Sequence, residues 1–113
     1  MSNLGKRALF EPLRSINATS FTGSFQALGS PLINPSVCLK LINNTTVLVT
    51  VSFDGVNNHD IYPGGSFSIY DFGSDSQSVS GDLRLAMPQG TQIYVSASAG
   101  TGFFYAVTIF QGG

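Results

Sequence analysis

From residue 19 onward, apolar side chains return at every second position, and turn-forming residues cut the pattern at intervals of roughly 8 to 15 residues. A strand sends successive side chains to opposite faces, so each run reads as a half-buried β-strand. Phe21, Gly23, Phe25 and Ala27 alternate with Ser20, Thr22, Ser24 and Gln26. Val37, Leu39 and Leu41 share a face opposite Cys38, Lys40 and Ile42, and Asn43-Asn44 then marks a hairpin turn, because Asn tolerates positive φ. Val47, Val49, Val51 and Phe53 make the clearest strand, rich in β-branched residues. Ile61-Tyr62 forms a short one before the Pro63-Gly64-Gly65 turn, after which Phe67 and Ile69 stand opposite Ser68 and Tyr70. A Ser-rich loop covers residues 73–82, and Leu83, Leu85 and Met87 resume the alternation until Pro88. Ile93, Val95 and Ala97 follow. The last strand is apolar on both faces: Phe103, Tyr105, Val107 and Ile109 on one, Phe104, Ala106, Thr108 and Phe110 on the other. Such a strand is central, or covered by a neighbouring subunit.

No segment keeps helical spacing over three turns. Residues 4 to 16 come nearest, but Gly5 and Pro12 interrupt them, leaving a short helical turn or an extended arm. The pattern therefore predicts an all-β protein: an antiparallel β-sandwich, jelly-roll-like or a small barrel, of seven to eight short strands. We expect an extended N-terminal arm over residues 1–18 and a sandwich domain over 19–113. Leu9, Phe10 and Leu13 are too apolar to leave the arm in water, so it lies over its own sandwich or reaches a neighbour.

Charge is scarce: five Lys/Arg and six Asp/Glu in 113 residues, with a net charge of −1. Ordinary domains carry about a quarter charged residues. Polarity comes instead from 15 Ser, 8 Thr, 7 Asn and 13 Gly. Lys6, Arg7, Arg14, Lys40 and Arg84 are scattered, the first three making the amino-terminal end mildly positive, so no basic stripe for phosphate exists. No apolar run approaches the ~20 residues of a spanning helix. A β-rich chain this neutral is poorly defended against sticking, which implies that much of its surface is covered by other subunits. The single cysteine, Cys38, excludes an intrachain disulfide, and the opening residues lack the apolar core of a secretory signal, so synthesis in a cytoplasm is expected.

Candidate chemistry is sparse. His59 is the sole histidine; with Asp54 or Asp60 and a serine it would be needed for a nucleophilic triad, but no Gly-x-Ser-x-Gly elbow is present, and it reads as a loop residue. One His and one Cys cannot make a zinc site within one chain. Asp54, Asn57, Asn58 and Asp60 bring oxygen-bearing side chains together as calcium would require, without EF-hand spacing; such runs also arise as Asx turns. Tyr62, Tyr70, Tyr94 and Tyr105 are candidates for stacking a sugar. A non-enzymatic role with no cofactor, no metal and no nucleic-acid, membrane or small-molecule partner follows as the expectation. A carbohydrate-binding, lectin-like module is the alternative.

The stretch Phe10-Glu11-Pro12-Leu13-Arg14-Ser15, the run Asp54-Gly55-Val56-Asn57-Asn58-His59-Asp60, then Pro63-Gly64-Gly65 and Tyr70-Asp71, resembles small structural proteins of tailed bacteriophage particles from about residue 9 to 110. The resemblance implies a virion component, made in the host cytoplasm, that decorates or cements the capsid or forms head-tail connector or tail rings. Its partners would be copies of itself and other virion proteins. Leu9, Phe10 and Leu13 of the arm, with Phe103, Phe104, Tyr105 and Phe110 of the last strand, are the expected contact residues.

Overall fold

The computed structural model describes residues 7–72 and 86–112. Nine strands are found among them, with a single 3₁₀ turn at Ala18–Ser20. One sheet holds β1 (Arg7–Phe10), β2 (Arg14–Asn17), β4 (Ser36–Thr45), β7 (Phe67–Asp71) and β9 (Gly102–Gly112). The other holds β3 (Gln26–Ala27), β5 (Val49–Ser52), β6 (Asp60–Tyr62) and β8 (Tyr94–Ser96). All pairings are antiparallel.

The larger sheet runs β1-β9-β4-β7, with β2 also on β9; the smaller runs β3-β8-β5-β6. β1 and β2 pair with successive stretches of β9, Leu9 opposite Phe110 and Ser15 opposite Tyr105, so they are one edge strand with a break. The Glu11 amide still reaches the Thr108 carbonyl at 3.1 Å, and Pro12, without a donor, then parts the ladder. Counted this way there are four strand positions per sheet. The chain changes sheet at every connection except β5 to β6, which is the double Greek-key arrangement of a jelly roll. An all-β antiparallel sandwich is thus what the alternation builds.

The core lies between the sheets. Leu39 and Leu41 of β4 and Phe104 and Ala106 of β9 face Val49 and Val51 of β5 and Val95 of β8, all fully buried. Tyr62 meets the Phe104 ring edge-on at 5.8 Å, a favourable aromatic geometry.

Several local expectations need correction. Asn43-Asn44 is not a turn; β4 runs through it to Thr45. The buried Asn43 side chain donates to the Val47 and Tyr62 carbonyls at 2.9 and 2.7 Å and accepts from the Thr45 amide and hydroxyl. It brackets a turn displaced to residues 46–48. The run at 20–27 yields only the two-residue β3, because local side-chain bonds win over alternation. Asn17 caps the 3₁₀ turn through the Thr19 amide, and Gln26 both donates to the Ser20 carbonyl and accepts from the Thr22 amide. Phe21 is nonetheless buried. The Ser-rich loop and the alternation at Leu83 and Leu85 lie outside the described residues; Met87 makes an isolated bridge to Ser36.

Candidate interaction surface

The pleat that buries Leu39, Leu41, Phe104 and Ala106 must send their neighbours outward. Register then fixes which of these meet. Across β9, β4 and β7, Tyr105 lies beside Ile42, which lies beside Phe67. One step along, Val107, Lys40 and Ile69 form the next row. Ile109, Cys38 and Asp71 form the third, extended by Phe10 of β1 opposite Ile109. At the other end Phe103 stacks on Tyr105 at 6.0 Å.

Most of this outer face is carbon. Phe10, Phe67, Ile69 and Phe103 are 66, 63, 54 and 40 % exposed. At ~200 Å² per phenylalanine, the three rings alone present roughly 340 Å², already the size of the largest apolar patch on many monomers before the aliphatic residues between them are counted. Lys40 is its one cation among the described residues, and its ammonium leans over the Phe67 ring at 5.6 Å from the centroid. Burial, and secondarily Asp71, pushes the Cys38 thiol upward, keeping it neutral. The outer face of the smaller sheet differs: Thr50 lies between Ile61 and Ser96, and Ser52, beside Tyr94, is buried. The smaller sheet thus exposes Ile61 among polar neighbours, whereas the larger exposes Phe10, Phe67, Ile69 and Phe103 together.

The expected contact residues divide. Phe10, Phe103 and Tyr105 lie on this outer face, and Leu13 is exposed at the break beside it. Leu9 and Phe110 pair with each other on the inner side of the sheet and are half-buried. Phe104 is in the core and presents nothing to a partner. Ile42, Phe67, Ile69, Val107 and Ile109 complete the face without having been singled out. Alternation had placed them on common faces; it could not say which faces turn outward.

Beneath the arm sits a buried ion pair. Glu11 and Arg14 are 7 and 5 % exposed and meet at 2.8 Å. Arg14 also donates to the Ser30 and Pro31 carbonyls and to the Thr108 hydroxyl. Glu11 accepts from the Ile33 and Asn34 amides and from the Asn34 side chain. Burial raises the Glu11 carboxyl, but Arg14 and these donors outweigh it and hold the group below its ordinary value. Arg14 is thus no solvated cation at a positive end; it locks the arm and the loop at 29–35 onto β9.

The polar loop is closed on itself. Asp54 Oδ1 accepts from the Val56 and Asn57 amides and the Ser52 hydroxyl, and Oδ2 accepts from the Asn57 side chain. These bonds, the Asn57 amide first, hold its carboxyl far below the usual range. His59 Nδ1 accepts the Phe53 amide at 2.9 Å, its ring stacks on Phe53, and its Nε2 lies 3.9 Å from Asp54 Oδ2, which braces the loop. No group of three or more metal-ligating side chains occurs among the described residues. No helix among them is long and apolar enough to cross a membrane. Tyr62 and Tyr70 bond to each other and Tyr70 to Asp60, beside Phe53 and Phe72, whereas Tyr94 lies under Gly55 and Tyr105 is on the far face.

No family model, curated protein or solved structure matches the chain.

Proposed function

We propose that this chain is a non-enzymatic structural subunit that works by packing against other subunits, as a capsid decoration or cement protein or a head-tail connector or tail ring component of a tailed phage particle. The observation that carries the packing is the apolar outer face of the five-stranded sheet. Its three exposed phenylalanines alone would gain on the order of 8 kcal/mol from leaving water, at ~25 cal/mol per Å². The particle assignment is supported by the segments at 10–15, 54–60, 63–65 and 70–71 that resemble phage structural proteins. A jelly roll serves in capsid proteins and in lectins alike, so the fold itself does not choose between them.

The mechanism is mass action. A subunit that binds only the assembled state stabilises that state in proportion to its affinity and concentration. Purified particles should contain the chain in a fixed ratio to the shell or tail protein, and particles lacking it should break at lower temperature. A chain that never sediments with particles, and that melts higher only when a sugar is added, would replace this reading with the lectin one.

A further inference from the structure

We infer that the outer face of the five-stranded sheet is covered by the same face of a second copy, about a two-fold axis running along the strands between β4 and β9. The inference rests on the assembly reading above and names one partner for it. β4 and β9 are the two central strands and carry Ile42, Tyr105 and Val107. An axis between them sets Tyr105 of each copy against Ile42 of the other, and Ile109 against Cys38.

Area favours a copy as the occupant, and the arrangement keeps like charges apart. With its half-buried aliphatic residues added to the exposed rings, the face offers roughly 600–800 Å², about one partner's share of a standard interface. Face-to-face sheets pack with strands nearly aligned, which a self-complementary face satisfies. The same axis carries β7 of one copy over β1 and β2 of the other. Asp71 is on β7 and the Lys40 ammonium leans to β7, so neither charge meets its own copy. Asp71 is carried over Phe10, and Lys40 toward the Ser15 hydroxyl. An isologous contact closes after two copies, so it uses up the apolar face without starting a fibre.

Sedimentation equilibrium of the full chain tests this, with the one thiol as a second readout. The wild type should be a dimer at micromolar concentration. Phe67→Glu, at an exposed position, should weaken it by about a hundredfold or more with unchanged melting of the monomer. Ile61→Glu, on the outer face of the other sheet, should leave it dimeric. Modification of Cys38 by a soluble disulfide reagent should slow as wild-type concentration rises and stay constant for Phe67→Glu. A dimer that survives Phe67→Glu, or one whose Cys38 reacts at a concentration-independent rate, overturns the placement. A wild type that stays monomeric at millimolar concentration overturns the pairing of copies, and sedimentation of that monomer with particles would show that the assembly reading survives with another partner.

Discussion

Replacing Arg14 with Met removes the charge but keeps the stem, whose Cβ and Cγ lie against Gly29. Glu11 would then remain as a buried carboxylate with only the Ile33 and Asn34 donors. The Thr108 hydroxyl and the Ser30 and Pro31 carbonyls would lose their donor as well. Breaking one side of a buried pair costs about 3–5 kcal/mol. For a domain of this size that corresponds to a fall in Tm of about 12–20 °C. Urea unfolding of wild type, Arg14→Met, and Glu11→Leu with Arg14→Met completes the measurement. The double variant should recover part of the loss, because no charge is left buried. It should not recover all, because the Ile33 and Asn34 amides still lack their acceptor. An Arg14→Met loss below about 1 kcal/mol, with the fold intact, would refute the claim that this pair clasps the arm.

Acid should act on the same clasp. The Glu11 carboxyl is held below its ordinary 4.5 in the folded chain, so its contribution is complete above that pH and is lost as the folded group protonates; Glu11→Gln should flatten this part of a stability–pH curve. Gly102 has φ +95 and a side chain there would collide with the Asn44 carbonyl, so Gly102→Ala should cost about 2 kcal/mol or more by chemical denaturation. Asn43→Ala takes the side-chain donor from the Tyr62 carbonyl and leaves the Val47 carbonyl only the Thr45 hydroxyl, and should cost about 1–3 kcal/mol, read the same way. Burial, and for Tyr70 its bond to Asp60, raises both Tyr62 and Tyr70; Tyr70→Phe should therefore remove amplitude from the high-pH end of an ultraviolet titration.

Period two in the sequence was enough to place most strands, because a strand's side chains must alternate wherever one face is buried. Val49, Val51, Ile93, Val95 and Ala97 all reach the core as the pattern implied. What it could not carry is long-range polar pairing. Glu11 and Arg14 look like ordinary surface charges until Ser30, Pro31 and Asn34 fold over them. Asn43 looks like a turn residue until the carbonyls it serves, 4 and 19 positions away, are brought to it. Side-chain bonds between distant residues leave no period to read.

β7 bears directly on the proposed role of the outer face. Along it Phe67 and Ile69 point out while Ser68 and Tyr70 point in. Alternation alone would favour the opposite orientation, with the phenylalanine and isoleucine in the core. The inward side is nevertheless satisfied: Tyr70 stacks with Phe72 at 6.1 Å and its hydroxyl serves Asp60 and Tyr62. An edge strand that spends its polar residues inside and its apolar ones outside is stable only if the outside is the drier environment, or if the interior network outweighs the exposed rings. Tyr70→Phe weakens the second explanation without touching the first. If the strand orientation persists in that variant, shown by Phe67 remaining the residue whose change to Glu controls association, the covering of that face is what sets it.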